Sequence, residues 1–159
     1  MNPWTVCLLM LLAFAGWTVL CNCLRAKVRI AVNVILFGVS AAIIRHATLR
    51  SRSPGTYAAV LTPFAALAAA RQQPELYREM LMNVFLFFPL GLTMSNALPR
   101  KWHRWLRIAL TALTSCVLSA GIEYAQYRFA LGMAETDDVI CNTLGAFVGA
   151  SSLLLAHAM

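Results

Sequence analysis

The sequence predicts an all-α fold: a polytopic transmembrane helical bundle of about five spans, with a short interfacial or re-entrant helical segment before the third. Three observations predict it. Hydrophobic residues make up 60% of the 159 and charged residues only 12%, and the mean hydropathy is +0.70, too apolar for a soluble globular domain. Apolar runs of bilayer-crossing length recur along the chain. Basic residues gather in short clusters between those runs, which is a topology signal in a membrane protein. A chain this short leaves no room for a soluble catalytic domain, so any chemistry sits in the bundle or at its edge.

The first apolar run covers residues 4–24. No small-x-small cleavage site follows it, and Cys21 lacks the small residue usual before a lipoprotein cysteine, so it reads as a retained span rather than a signal peptide. Further runs follow at 28–44, 81–98, 106–127 and 138–156. The stretch TYAAVLTPFAALAAA (56–70) is apolar too, but Pro63 interrupts it and it is too short to span; it reads as an interfacial or re-entrant helix pair.

Orientation follows from Lys and Arg in short loops. Arg25, Lys27 and Arg29 mark one cytoplasmic loop; Arg100, Lys101, Arg104 and Arg107, in PRKWHRWLR, mark a second, with Trp102 and Trp105 at headgroup level. Two spans separate the loops, so both lie on one side. The expectation is a multi-pass protein of the cell (inner or plasma) membrane with its N-terminus outside and its C-terminus cytoplasmic. Residues 45–80 and the acid-rich 128–137 loop then face outward. Arg45, Arg50, Arg52, Arg71 and Arg78 run against this assignment, with Glu75 and Glu79 as local offsets.

The net charge of +7 would point to nucleic acid in a soluble protein. Here the basic residues lie mainly in short clusters between apolar runs, a topology signal, so no nucleic-acid partner is expected. Cys7, Cys21, Cys23, Cys116 and Cys141 lie in or beside apolar runs, without Cys-x-x-Cys and without histidine at metal-ligand spacing. They read as small buried side chains, and neither a metal nor a cofactor is expected.

The stretch IEYAQYRFALGMAETDDVICNTLG (122–145) holds four of the six carboxylates. Glu123 stands near the end of an apolar helix, where a charge costs about 3 kcal/mol unless it faces protein or water. It is expected to point inward, with Gln126, Tyr127 and Ser119 on its face. Asp138 opens the last helix, where a carboxylate meets free N–H groups; Asp137 or Thr136 could cap instead. Asn142, Gly145 and Gly149 continue the stripe of Asp138. The G-x-x-x-G spacing of the two glycines allows close helix approach, within the chain or between chains, and leaves the oligomeric state open. In NVFLFFPLGL, Asn83 enters a helix holding Pro89 and Gly91, and Pro89 cannot donate to the carbonyl of Phe85, so a kink is expected. Asn83 reads either as a helix-helix hydrogen bond or as part of a site. Asn83, Glu123, Gln126, Asp138 and Asn142 share one membrane depth and compose a candidate polar site on the outer-leaflet side.

NVFLFFPLGL, IEYAQYR and DDVICNTLGAFVG, in that order, resemble the VanZ-like family, and LTPF resembles that family's outer-loop Pro-Phe motif. The resemblance covers roughly 30–156, which divides the chain into an additional N-terminal transmembrane helix (1–27) and a VanZ-like domain (28–157). By resemblance, Asn83, Pro89, Gly91, Glu123, Gln126, Asp138, Asn142, Gly145 and Gly149 match the family signature. One departure stands out. The family carries Gly-Arg and an acid shortly before the aspartate matching Asp138; here Gly132 stands in place of the Arg, Glu135 takes the acid's place and Arg128 is the candidate substitute cation.

The resemblance implies a context, resistance to the glycopeptide teicoplanin, without an established reaction. The matching expectation is a binding site for a lipid headgroup, a cell-wall precursor or a lipoglycopeptide. Two alternatives stay open. One is an enzyme using Glu123 and Asp138 as acid and base, or as cation ligands, on a lipid-linked substrate; no serine nucleophile or phosphate-binding glycine loop accompanies them, and His46, His103 and His157 are scattered. The other is a proton-coupled transporter with Glu123 as relay, without a visible inverted repeat.

Overall fold

The computed structural model describes residues 14, 16–50, 55, 57–70 and 72–154. Most of the first predicted span falls outside them; residues 16–23 are helical and are termed α1. The chain continues through α2 (Ala26–Arg45), a π-helical turn (His46–Arg50), β1 (Ala58–Val60), α3 (Ala65–Ala69), α4 (Pro74–Ala97), α5 (Arg104–Arg128), β2 (Met133–Glu135) and α6 (Thr136–Ala150).

Among the described residues, three stretches are helical, long and apolar enough to cross a membrane: Ala26–Leu49, Glu75–Ala97 and Arg104–Arg128. Pro74 opens α4 at a position where its missing N–H has no cost, and Glu75 meets the positive end of the helix. The helix runs on through Pro89 as one element, and the Thr93 hydroxyl donates back to the Pro89 carbonyl at 2.8 Å. α6 has 15 residues, about 22 Å at ~1.5 Å per residue.

The side-chain distribution of α5 is that of a helix facing lipid. Leu113 and Val117 are 62% and 66% exposed, whereas Thr111, Ser115 and Ser119 are fully buried. Apolar groups meet the bilayer and small hydroxyls face the neighbouring helices, which lets backbones approach closely.

The seam between α4 and α6 is built from glycine. A Cβ on Gly91 would strike the backbone of Ala146, one on Gly145 the backbone of Val84, and one on Gly149 the backbone of Phe88. The G-x-x-x-G spacing therefore serves a contact within the chain. Phe87, Leu90, Ile44, Ile122 and Ala146 form the apolar core beside it.

Two features differ from the sequence expectation. The 56–70 stretch is not a helix pair: it forms β1, a turn through Pro63 and the short α3. β1 pairs in parallel with β2, Ala58 opposite Met133 and Val60 opposite Glu135, so the all-α fold carries a small parallel ladder. Backbone groups in these connections need partners, and each strand supplies them to the other. α3 is too short to stand alone, and a long-range side chain starts it.

Candidate functional site

That side chain is Asp137. It is 4% exposed, and its carboxylate accepts the Phe64 N–H at 2.5 Å and the Ala66 N–H at 2.7 Å. Phe64 precedes α3 with φ of 62°, an uncommon left-handed value for a residue with a side chain. The hydrogen bond from its N–H holds that conformation in place. Capping of α6 by Asp137, Asp138 or Thr136 is therefore corrected: Glu135 occupies the N-cap position and no side chain caps the helix. Asp137 caps another helix, which closes the LTPF loop over the end of the bundle.

Asp138 points the other way. Its Oδ1 accepts from Asn83 Nδ2 at 2.7 Å, joining α6 to α4. Glu123 is 7% exposed, and its Oε2 accepts the backbone N–H of Glu135 at 3.0 Å. The acid of α5 thus holds the last residue of β2, immediately before α6 begins. Asn83, Glu123, Glu135 and Asp138 are gathered around one strand end.

Two concavities flank that strand end. One, of about 470 Å³, lies against α5 and is lined by Glu123, Tyr124, Tyr127, Ala134, Glu135 and Val139 among others. The second, of about 730 Å³, lies against α4, with Glu75, Arg78, Glu79, Asn83, Glu135 and Asp138 on its wall. Glu135 borders both. The first wall is mostly apolar and aromatic with two acids; the second mixes charged side chains with leucine and methionine.

Gln126 and Asn142 sit deeper. The Gln126 amide donates to the Thr48 carbonyl at 2.9 Å, tying α5 to the π-helical turn. The Asn142 amide donates to the Ser119 hydroxyl at 2.8 Å, tying α6 to α5. Both are buried, and neither lines the two concavities. Gly91, Gly145 and Gly149 form the seam behind the site, and Pro89 lies on the α4 segment that packs there. Arg128 ends α5 and is exposed, its side chain making no hydrogen bond or ion pair among the described residues. Gly132 has φ of 152°, a region open to glycine but strained for arginine.

Sequence reasoning missed Glu75, Arg78 and Glu79 as walls of the second concavity. Their signal was the i, i+3, i+4 spacing, which places them with Asn83 on one side of the first turns of α4. It also missed the docking of Asp137 on Phe64, a contact across 73 residues that no local pattern encodes.

Spanning-length apolar helices with carboxylates buried at one end define a helical integral membrane protein. Within that class, the chain belongs to the VanZ/LLP1 family, whose model matches residues 4–157. It is similar to Protein VanZ of Enterococcus faecium, 36% identical over 89 residues, which are 56% of this chain and 48% of that protein. The matched segment thus spans about half the length of that relative. No solved structure matches.

Proposed function

We propose that this chain contributes to glycopeptide resistance, teicoplanin by family context, by binding an envelope component at the polar site formed by Asn83, Glu123, Glu135 and Asp138. In this reading the first apolar run and α6 complete about five spans, the N-terminus is outside and the C-terminus cytoplasmic. The site then opens at the outer leaflet of the cell membrane, where lipid headgroups, cell-wall precursors and inserted lipoglycopeptides are met. Gln126 and Asn142 hold its helices from behind.

One observation carries the reading. Two acids on different helices, Glu123 buried and Asp138 half-buried, converge on one strand end, each bonded to a neutral N–H donor, and each borders a concavity able to admit a ligand. Carboxylates so placed are acceptors for amine, amide or hydroxyl groups, and the Tyr124 and Tyr127 wall suits an apolar or aromatic neighbour. Burial makes such hydrogen bonds stronger than they are in water.

The test is expression of wild type, Glu123→Ala and Asp138→Ala at matched membrane levels in a teicoplanin-sensitive Gram-positive host, with growth inhibition as the readout. Protection by wild type and loss in both folded variants supports the reading. Equal protection by all three makes the acids structural, and absence of protection by wild type refutes the resistance role in that host.

A further inference from the structure

The opposite end of the bundle, where α4 gives way to α5, is arranged differently. Arg29 and Arg107 are buried there at 2% and 7% exposure. Arg29 Nη1 donates to the Asn96 carbonyl and to the Leu98 carbonyl at 3.3 Å. Arg107 donates through Nε at 3.2 Å and Nη2 at 2.6 Å to the Ser95 carbonyl. These two cations close the last turn of α4, where carbonyls lack helical partners and the dipole is negative.

That role does not absorb the whole cluster. A concavity of about 360 Å³ lies beside it, lined by Arg100, Trp102, His103, Arg104 and Arg107 together with Asn22 and Leu153. The side chains of Arg104 and His103 make no hydrogen bond or ion pair among the described residues. Arg100 donates to the Cys21 carbonyl at 2.7 Å and to the Asn22 amide oxygen at 3.3 Å, both neutral acceptors. A topology signal requires only that charge stay on one side of the membrane. It does not require three arginines to converge on a cavity.

No acid in the chain neutralises this end. All six carboxylates (Glu75, Glu79, Glu123, Glu135, Asp137 and Asp138) lie at or beyond the far ends of α4, α5 and α6. At ~1.5 Å per residue that is roughly 27 Å along the helices from the basic cavity. The six arginines at 45–78 and 128 accompany the acids in sequence. The other seven basic residues, at 25–29 and 100–107, carry a surplus equal to the whole net charge of +7.

We propose that this cavity binds the phosphate of an anionic phospholipid, with Arg104, His103 and Arg100 as its donors. The surroundings favour a lipid over a soluble anion. Trp102 and Trp105, 37% and 52% exposed, are amphipathic rings suited to headgroup level. Leu106, Leu113 and Val117, 48%, 62% and 66% exposed, present one apolar face of α5 along which an acyl chain can run. Basic pockets between membrane helices select anionic headgroups by charge. This inference concerns the end away from the carboxylate site and stands independently of the proposed resistance role.

The experiment is native mass spectrometry of the purified full chain after equilibration with equal amounts of phosphatidylglycerol and phosphatidylcholine. Wild type is expected to retain phosphatidylglycerol preferentially. Arg104→Gln should lower that preference by about fivefold, Arg104→Lys should largely restore it, and Lys101→Gln, outside the cavity, should leave it unchanged. A melting curve in zwitterionic detergent checks that Arg104→Gln is folded; if it is not, His103→Gln replaces it and is expected to lower the preference in the same direction. Excess inorganic phosphate is expected not to displace the lipid. Equal retention of the two lipids, or a folded cavity variant with unchanged preference, overturns the proposal. Displacement by inorganic phosphate overturns the lipid assignment and makes the site one for a free anion.

Discussion

The two ends of the bundle solve the same problem with opposite charges. Where α4 begins, acids take up backbone N–H groups: Asp137 those of Phe64 and Ala66, Glu123 that of Glu135. Where α4 ends, arginines cover its carbonyls. The difference lies in what is held. The arginines, one from α2 and one from α5, fix the last turn of a spanning helix, whereas the acids fix non-helical connections, Asp137 at the start of α3 and Glu123 at the end of β2. The acidic end is therefore closed by loops that its carboxylates hold in place.

Breaking the seam common to both ends should have the largest effect. Gly145→Leu forces a side chain into the Val84 backbone, which cannot give way without separating α4 from α6. A loss of about 3 kcal/mol or more is expected. Size-exclusion profiles of the detergent-extracted protein should show the monodisperse peak disappear; survival of that peak would mean the seam is not the scaffold.

The next contrast is between the two kinds of charge. Arg107→Met leaves the Ser95 carbonyl without its donor at a helix end between spans, and a global loss of about 2 kcal/mol is expected. Asp137→Ala leaves two N–H groups unpaired, at a similar local cost, but the helices should stay packed. Limited proteolysis should then cut Asp137→Ala within 61–72 while its helical melting temperature changes little, and Arg107→Met should do the reverse. Equal behaviour of the two variants would erase the distinction between ends.

The same distinction explains what could be read from the sequence. α2, α4 and α5 were legible because each is a long apolar run, and the inward direction of Glu123 because a charge there has few other places to go. The glycine seam was legible from spacing. The β1–β2 ladder was not, since three-residue strands carry no usable alternation. The role of Asp137 was misread because capping is a local rule, whereas its partners lie more than 70 residues away. Gln126 and Asn142 were read as part of the site; each bonds a neighbouring element, and neither lines the two concavities. A buried amide beside a carboxylate looks the same in sequence whether it faces a cavity or a neighbouring helix.

Glu123→Gln separates charge from geometry at the acidic end. A glutamine carbonyl oxygen can still accept the Glu135 N–H, so stability should fall by no more than about 1 kcal/mol. If the ligand is read by charge, protection against teicoplanin should fall as far as in Glu123→Ala while the melting temperature holds. Full protection by Glu123→Gln would assign Glu123 to holding β2 alone.

The smallest expected effect lies at Arg128. It is exposed, its side chain bonds to nothing among the described residues, and it ends α5 where a cation meets the negative end of the helix dipole. Arg128→Gln should change stability by less than about 0.5 kcal/mol. Its effect on protection carries more information. Gly132 holds a backbone conformation that an arginine would strain, so the cation that the family places there has to come from elsewhere if the site requires one. Arg128 lies four positions before Gly132 and one after Tyr127, which lines the concavity of Glu123. A clear loss of protection at unchanged melting temperature would identify Arg128 as the replacement. Unchanged protection would show that this chain's site works through its acids alone.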